Sequence, residues 1–477
     1  MLSAAAAWFV FAHGWTCYYG DAEAHLNIAR RILDSRTPGY DQMGSPWLPL
    51  PHLLMLPFVR VDSWWHNGLA GTIPSAICFV LAGAFLFAAA GRLFGPAAGA
   101  VAAALFALNP NVLYLQATPM SEPCFWAALL ALLYFTVRFR STQGWLSVIA
   151  AGVAAGAAAM SRYDGWFLLP FVALYFLLTA RKHWRAAILF SAIAAAAPLW
   201  WLLYNWWLSG RPLDFYSGPY SALAIQGGAP YPGQGNWRVA CLYYCTAVEL
   251  CAGAGLVVAG LAGLAAALWK RAIWPVVFLA LPPVFYIWSL HSSGNPIHLP
   301  VLPPFSYYNS RYGTEAIPLL AFGGAALAAA APERLRGLAA VALVAVSMAL
   351  WVLHPSPERW ITWKESVVNS VSRRAWTQAT ADYLAPRYRP GTGILTSFGD
   401  VAGIYRALGV PLRDTLTIDN GLMWLATVER PELWRHEEWA VAIAGDIVEQ
   451  TVARSGRYRL QREIAVPGAP PIRIYKR

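Results

Sequence analysis

The sequence predicts a polytopic α-helical membrane protein that ends in a small α/β domain, on three observations. Of its 477 residues, 58% are hydrophobic and only 12% are charged, which excludes a soluble globular enzyme and a disordered chain. Long apolar runs recur from the amino terminus to about residue 353. Hydrophobicity then falls sharply, so we predict a transmembrane domain over 1–353 and an α/β domain over 354–477.

The apolar runs predict about eleven transmembrane helices by length and hydropathy. The first extends from Leu2 to about Tyr19. No basic segment precedes it and many runs follow, so we interpret it as an uncleaved helix rather than a signal peptide. The other runs lie near 74–91, 96–115, 123–137, 144–160, 165–180, 186–208, 239–268, 272–290, 313–331 and 337–353.

Basic residues occupy alternate short loops between the runs, which predicts the orientation of the chain. Such loops face the cytoplasm by the positive-inside rule. They also account for the net charge of +11 without a nucleic-acid partner. The loop after the first run, the loops 209–238 and 291–312 and the tail then face outward, as in a protein of the bacterial inner membrane. The basic loops contain Arg92; Arg138 and Arg140; Arg181, Lys182 and Arg185; Lys270 and Arg271; Arg334 and Arg336.

The outward loop 20–74 combines an amphipathic stretch with a proline-rich stretch. Apolar side chains recur at helical spacing between Leu26 and Leu33, which predicts a helix over 22–34 lying on the membrane surface. Three prolines within 46–51 then break any helix. The apolar segment Leu53–Val59 is too short to span the bilayer, so we interpret it as re-entrant or interfacial.

The tail carries the pattern of a small mixed domain. Gly393–Asp400 predicts a strand followed by a turn, and Ala402–Leu408 predicts a short helix. Trp439–Ile447 and Pro471–Tyr475 are further candidate strands.

An acidic pair, Asp21 and Glu23, directly follows the first apolar run. Acidic residues are rare near membrane spans, so this pair indicates a specific structural or functional role. In one interpretation Asp21 is the N-cap of the following helix, with Glu23 in its first turn. In the other Asp21 is a general base, and the two roles are compatible.

Further charges lie at the ends of spans on the same outward face, which suggests a site for a phosphate-bearing substrate near the bilayer surface. Structural alternatives remain: Ser121 caps a helix that begins at Glu122, Arg162 and Asp164 form a local ion pair, and Arg311 snorkels to the interface. These outward charges are Glu122, Arg162, Asp164, Arg211, Asp214, Arg311 and Glu315.

The sequence lacks the motifs of several common classes of enzyme and metal site. P-loop, GxSxG and HExxH patterns are absent from the sequence, which argues against nucleotide hydrolysis, a serine hydrolase and a zincin. The six cysteines form no CxxC pattern, so we infer neither a zinc site nor a disulfide framework. His25 and His52 have no partner at ligand spacing, which favours solvated or hydrogen-bonded imidazoles.

An ordered set of weak motifs covers roughly residues 1–330. Ala29–Leu54 reads ARRILDSRTPGYDQMGSPWLPLPHLL, Pro119–Pro123 reads PMSEP, Met160–Trp166 reads MSRYDGW, and Asn309–Tyr312 reads NSRY. In this order the motifs resemble the GT-C superfamily of membrane glycosyltransferases. The closest likeness is to bacterial relatives of the protein O-mannosyltransferases and of the lipid A aminoarabinose transferase.

The resemblance implies an inverting transfer of a sugar from a polyprenyl-phosphate donor to a lipid, glycan or protein acceptor at the outer face. Asp21 would be the general base. Arg162 or Arg311 would neutralise the leaving phosphate, and Glu23 and Glu122 would position the acceptor or a bridging divalent cation. The family's Asp-Glu pair appears here as Asp21-x-Glu23, which can act with or without a metal. Asp164, Tyr312 and His52 complete the predicted substrate-binding set.

A transporter and a membrane scaffold are the two alternatives to an enzyme. A lipid or polysaccharide flippase or transporter would place polar residues near the bilayer midplane, often in repeated halves. The charges lie instead at one face and no repeat is visible, which favours the enzyme. A membrane scaffold that binds through its tail would leave the acidic first loop unexplained.

Overall fold

The structure is a computed structural model that describes residues 1–181, 183–433 and 436–477. Lys182, a member of one predicted basic loop, lies outside the described residues. Contacts divide the chain into two compact units, which we describe separately. The helical unit comprises Met1–Val10, Ser45–Pro51 and Pro74–Glu365, and the mixed unit comprises Phe11–Gly44, His52–Ile73 and Ser366–Arg477.

The described chain is mostly helical, with one small sheet near the carboxyl end. The α-helices up to the sheet are α1 (Leu2–Ala12), α2 (Gly20–Leu33), α3 (Leu50–Val59), α4 (Asp62–Asn67), α5 (Leu69–Phe94), α6 (Pro96–Ala107), α7 (Pro110–Gln116), α8 (Glu122–Thr142), α9 (Trp145–Ser161), α10 (Asp164–Thr179), α11 (His183–Ser209), α12 (Asp214–Ser217), α13 (Ala222–Gln226), α14 (Trp237–Ala252), α15 (Ala254–Trp269), α16 (Ile273–Ser292), α17 (Ile317–Ala330), α18 (Arg336–Leu353) and α19 (Ile361–Leu384).

The remaining elements belong to the carboxyl-terminal region. They are β1 (Ile394–Thr396), α20 (Ala402–Leu408), β2 (Thr415–Leu416), α21 (Leu422–Glu429), β3 (Trp439–Ile443), α22 (Ile447–Ser455), β4 (Arg459–Ile464) and β5 (Ile472–Lys476).

Within the described residues, six helices are long and apolar enough to cross a membrane, or up to eight if two sharply bent pairs each count as one span. The polytopic helical fold is confirmed, whereas the predicted count of about eleven is not. Several predicted spans form shorter helices: α9 and α10 have 17 and 16 residues. The predicted first span ends early, because α1 stops at Ala12 just before Gly14, whose φ is +69°. Hydropathy reports how apolar a run is, but it does not report where its helix ends.

A close helix contact fixes the turn that carries Arg162 in the helical unit. This turn joins α9 to α10, and Gly165 lies in the first turn of α10. A Cβ at Gly165 would lie 2.4 Å from the backbone of Ala158 in α9, so a larger residue would force the two helices apart. The glycine therefore holds Arg162 and Asp164 at the buried junction of these helices.

The mixed unit contains a five-stranded sheet in the order β2-β1-β3-β5-β4. Strand β1 is parallel to β2 and β3, whereas β5 is antiparallel to β3 and β4. The predicted strands correspond to β1, β3 and β5, and the predicted helix Ala402–Leu408 matches α20. The small carboxyl-terminal sheet domain is thus confirmed, although β2 and β4 were missed.

The core of the mixed unit draws on both ends of the sequence. Leu26, Met55 and Trp65 pack in the same buried cluster as Trp376 and Trp439. Residues from the predicted outward loop and from the tail therefore share one core. The compact units are not the two continuous segments, 1–353 and 354–477, that the sequence predicts.

Helix α2 is confirmed, but most of its polar residues are buried rather than exposed on a surface. Arg30 is 8% exposed and pairs with Asp34 at 2.8 Å and with Asp62 at 2.6 Å. Arg31 pairs with Asp419 of the tail. The amphipathic pattern therefore reflects apolar packing on one face and ion pairing on the other.

Candidate functional site

The helical unit encloses a cluster of charged side chains around Arg162. The Arg162 guanidinium donates from Nη1 to Glu122 Oε1 at 2.9 Å and from Nη2 to the Tyr286 hydroxyl at 2.5 Å. Its Nε lies 3.6 Å from Asp164 Oδ1 and 4.0 Å from Glu315 Oε1. The Arg162 side chain is 12% exposed and each of the three carboxylates is 1% exposed or less. The predicted local pair of Arg162 and Asp164 is thus part of a larger buried network.

Arg311 extends this cluster from the short 3₁₀ helix Ser310–Ala316. Its Nε donates to Glu122 Oε1 at 3.1 Å and its Nη1 donates to Glu365 Oε1 at 3.3 Å. Glu365 also accepts from the backbone N–H groups of Asn309 and Ser310, at 3.1 and 2.7 Å. Arg311 is 7% exposed, so it does not snorkel to a solvated interface. Sequence reasoning missed Glu365, because it lies 54 residues from Arg311 at the start of the tail.

Tyr312 lies beside both guanidinium groups of the cluster. The Cζ atoms of Arg162 and Arg311 are each 5.3 Å from the centre of its ring, a distance suited to cation–π attraction. Its ring also packs on Tyr286 at a centroid distance of 4.7 Å. The predicted residues Glu122, Arg162, Asp164, Arg311 and Tyr312 are therefore brought together.

The charge balance of the cluster limits what it can bind. Two arginines face four carboxylates, those of Glu122, Asp164, Glu315 and Glu365. A buried ion pair that loses one partner is strongly destabilised. A phosphate entering the cluster would have to displace a carboxylate from its arginine partner. The geometry therefore favours a structural role for Arg162 and Arg311, and their predicted contact with a donor phosphate stays a prediction.

Glu122 begins a helix, as one alternative proposed, but Ser121 does not cap it with its side chain. Helix α8 starts at Glu122 and its N-cap residue Ser121 makes no side-chain capping bond. The Ser121 hydroxyl instead accepts from Arg162 Nη1 at 3.1 Å. Both residues at the start of the helix therefore face the guanidinium.

Asp21 lies in the mixed unit, in the first turn of α2. The helix begins at Gly20 and its N-cap residue is Tyr19, so the interpretation of Asp21 as the N-cap is wrong by two positions. The helix dipole still favours a carboxylate in the first turn. Asp21 is partly exposed, whereas the neighbouring residues Ala22 and Glu23 are buried.

Glu23 is engaged by Arg406 of α20. Arg406 donates from Nε to Oε1 at 2.6 Å and from Nη2 to Oε2 at 2.8 Å, so both carboxylate oxygens are occupied. This bidentate geometry is the strong form of an arginine–carboxylate pair. The described residues contain no group of three or more His, Cys, Asp or Glu that could hold a metal ion.

Two further arginines lie beside the residues that precede Asp21. Arg373 of α19 donates from Nη2 to the Tyr18 carbonyl oxygen. Arg374 donates from Nη1 to the Tyr18 hydroxyl at 3.0 Å, and its Cζ lies 4.0 Å from the centre of the Tyr18 ring. Sequence reasoning missed both, because they lie more than 350 residues from Tyr18 and the Arg-Arg pair carries no motif.

His25 and His52 are buried together and bonded to each other. His25 Nδ1 lies 2.7 Å from His52 Nε2, and the two residues are 1% and 0% exposed. Burial lowers the pKa of His52 well below its usual range, and the nearby His25 and Arg31 lower it further. This geometry favours the hydrogen-bonded alternative over the predicted substrate contact of His52.

Comparisons with known proteins find one family-model match and similar folds among solved structures. Residues 64–205 match the family model of dolichyl-phosphate-mannose-protein mannosyltransferases. The structure of ArnT from Cupriavidus metallidurans bound to undecaprenyl phosphate is 14% identical, with a TM-score of 0.59 over 99% of this chain and 97% of that chain. The apo oligosaccharyltransferase from Archaeoglobus fulgidus is 13% identical, with a TM-score of 0.50 over 89% of this chain and 66% of that chain.

No curated protein sequence matches the chain significantly. At such low identity the structural likenesses establish the fold alone, and the family model that matches residues 64–205 is one of glycosyltransferases. Together, the match over residues 64–205 and the shared fold show that the chain is similar to membrane glycosyltransferases of the GT-C superfamily.

Proposed function

We propose that this protein transfers a sugar from a polyprenyl-phosphate carrier to a hydroxyl-bearing acceptor at the outer face of the membrane, with Asp21 as general base. The observation that carries the proposal is the correspondence, over nearly the whole of both chains, with an ArnT structure bound to undecaprenyl phosphate. The acceptor is a lipid, a glycan or a protein. The membrane is the bacterial inner membrane, with Asp21 and the carboxyl-terminal sheet on the periplasmic side.

The proposed reaction is a single displacement at the anomeric carbon. The acceptor hydroxyl oxygen attacks that carbon and forms the new glycosidic bond. The bond between the anomeric carbon and the phosphate oxygen breaks, and polyprenyl phosphate leaves with the bonding electron pair. The hydroxyl proton passes to the Asp21 carboxylate. The configuration at the anomeric carbon is inverted.

Asp21 suits the role of base better than Glu23 does. Glu23 is 7% exposed and both of its oxygens accept from Arg406, whereas the Asp21 side chain is partly exposed. The dipole of α2 favours the ionised form of Asp21, which is the form that accepts a proton. Glu23 then serves to hold Arg406 within the mixed unit. The proposal routes no step through a metal ion.

The charge cluster of the helical unit has a different role in this proposal. Glu122, Arg162, Arg311 and Glu365 join α8, the α9–α10 turn and the 3₁₀ helix before α17 through buried ion pairs. Cross-links of this kind fix the ends of helices relative to one another. The cluster is thus proposed to stabilise the helical unit rather than to contact the donor.

The experiment is turnover by the purified full-length protein of a panel of polyprenyl-phosphate sugars, with detection of released polyprenyl phosphate. The expected result is release from at least one donor that depends on an added acceptor. A matched Asp21→Asn protein should release far less. Absence of release from every donor, with membrane extracts as the acceptor source, would contradict the proposed function.

A further inference from the structure

We propose that Arg373 and Arg374 of α19 form the subsite that binds the phosphate of the lipid-linked donor, next to Asp21. This inference rests on the proposed function and names the residues that recognise its leaving group. The two arginines come from the tail, outside the set of residues that the sequence motifs single out.

Arg374 is held in one orientation by three contacts. Its Nε donates to the Ser370 hydroxyl at 3.0 Å and its Nη1 donates to the Tyr18 hydroxyl at 3.0 Å. Its Cζ lies 4.0 Å from the centre of the Tyr18 ring, so the guanidinium packs against the aromatic side chain. A guanidinium fixed in this way loses little further freedom when it binds an anion.

Arg373 lies against the backbone that leads directly into Asp21. Its Nη2 donates to the Tyr18 carbonyl oxygen. A Cβ placed on Gly20 would lie 3.1 Å from Arg373 Nη1, so the glycine lets the guanidinium approach the start of α2 closely. Asp21 is the next residue in the chain. A group bound by Arg373 would therefore lie within reach of the proposed base.

These two arginines differ from other arginines of the mixed unit in what they pair with. Arg30, Arg36 and Arg406 each form an ion pair with a carboxylate of the same unit, namely with Asp34, Glu437 and Glu23. In the part of the chain that the structure describes, Arg373 and Arg374 contact hydroxyl and carbonyl oxygens of Tyr18 and Ser370, and no carboxylate is paired with either of them. Their positive charge is therefore available to an anion from outside the unit.

A phosphate is the anion that this arrangement fits best. Two guanidinium groups that contact the same tyrosine can each donate charge-assisted hydrogen bonds to its non-bridging oxygens. As the glycosidic bond breaks, negative charge grows on the departing phosphate, and fixed cations stabilise such charge. The phosphate would belong to the donor, but an ordinary anionic phospholipid offers the same group. The experiment has to separate these two sources.

The test is equilibrium binding of undecaprenyl phosphate to the full-length protein in neutral detergent micelles, with undecaprenol and phosphatidylglycerol as the other two probes. We expect wild type to prefer undecaprenyl phosphate over both. Arg373→Gln and Arg374→Gln should each weaken its binding by about ten- to a hundredfold, the usual effect of losing a hydrogen bond to a charged group. Each should also lower the rate of donor turnover.

Arg387→Gln is the matched control variant. Arg387 also donates to a backbone carbonyl oxygen and packs on a ring, both of Tyr383, but it is exposed beyond the end of α19. It should bind undecaprenyl phosphate as wild type does. The melting temperature of each variant shows whether it is folded.

The outcomes separate this inference from the proposed function. If the folded variants of Arg373 and Arg374 bind undecaprenyl phosphate as tightly as wild type, the subsite is overturned while the function can still stand on turnover. If the variants bind phosphatidylglycerol and undecaprenyl phosphate more weakly by the same factor, the two arginines are a general lipid contact. The inference is then also overturned. Turnover of a donor by wild type without measurable dependence on either arginine would reject the subsite alone.

Discussion

The arginines of the helical unit and those beside Asp21 in the mixed unit are used in opposite ways. Arg162 and Arg311 face four carboxylates and share one of them, Glu122. Arg373 and Arg374 contact only neutral oxygens of Tyr18 and Ser370 among the described residues. An arginine that is already neutralised stabilises the fold, whereas one without a carboxylate can bind an anion. The surroundings of an arginine, rather than its place near a membrane face, indicate which role it has.

The largest expected effect in this comparison is on stability, from Glu122→Gln. The change removes the carboxylate that pairs with both Arg162 and Arg311, so two buried ion pairs are lost at once. Breaking a buried ion pair from one side costs about 3–5 kcal/mol of unfolding free energy. We expect a large loss of folded protein and a lower melting temperature in detergent. Asp382→Asn, at an exposed acid of α19, is the control and should change little.

A wild-type melting temperature for Glu122→Gln would show that the cluster is not a structural element. The two regions would then no longer differ in the way proposed.

The next largest effect, again a loss of stability, is expected from Arg162→Lys and Arg311→Lys. Lysine keeps the charge but loses the forked geometry that lets Arg162 contact Glu122 and Tyr286 together. We expect each variant to melt at a lower temperature and to bind undecaprenyl phosphate within about twofold of wild type. Thermal melts and lipid binding on the same preparations measure both quantities.

Stable variants with at least tenfold weaker lipid binding would restore the role that the sequence motifs suggested for these arginines. The phosphate subsite at Arg373 and Arg374 would then lose its main support.

A smaller effect concerns the buried histidine pair of the mixed unit, His25 and His52. The pKa of His52 is lowered by burial, by His25 and by Arg31, so the folded protein keeps this ring neutral while the unfolded chain takes up a proton near pH 6.5. The stabilisation is therefore present above about pH 6.5 and is lost as the pH falls below it. We expect the melting temperature to decrease in that window, and less steeply in His52→Gln.

If the melting temperature fell equally steeply between pH 6.5 and 5 in wild type and in His52→Gln, groups other than His52 would cause the acid sensitivity. His66 is the candidate in that case, because burial lowers its pKa as well.

The smallest effect is expected at Glu449 in the carboxyl-terminal sheet region. Hydrogen bonds from Tyr475, Arg473 and the Gly445 N–H lower the pKa of Glu449 to about 2. Its stabilisation is complete above about pH 4.5 and is lost as the pH falls towards 2. Glu449→Gln should therefore weaken the region near β5 by about 1 kcal/mol at pH 7 and by less at pH 3. Hydrogen exchange of the peptide that contains Ile472–Lys476 measures the difference, and equal protection in both proteins at pH 7 would contradict it.

Local patterns in the sequence predicted local structure well. The apolar spacing between Leu26 and Leu33 predicted α2, and Ala402–Leu408 matches α20 at both ends. The sequence assigns Glu122, Arg162, Asp164 and Arg311 to one face of the membrane, and the structure pairs their side chains in one cluster. Each of these inferences needed only a short pattern or a common position at the ends of helices.

The features that the sequence did not predict depend on contacts between distant segments of the chain. Arg406 is 383 residues from its partner Glu23, and Arg374 is 356 residues from Tyr18. One sequence contains no signal that links such positions. One sequence also does not show which charges pair, so the motifs suggest a substrate phosphate for Arg162 and Arg311 and give no sign of their carboxylate partners.

The most direct test of the account is to measure transfer rate and lipid binding together in Asp21→Asn. Asparagine keeps the size of the side chain and removes the base, so the protein should fold and bind undecaprenyl phosphate as wild type does. Transfer should be slower by about two to four orders of magnitude, the usual contribution of general-base catalysis. Asp382→Asn, measured in parallel, should transfer at the wild-type rate. Near-normal transfer by Asp21→Asn would contradict the account, because the acceptor proton would then be taken by another group.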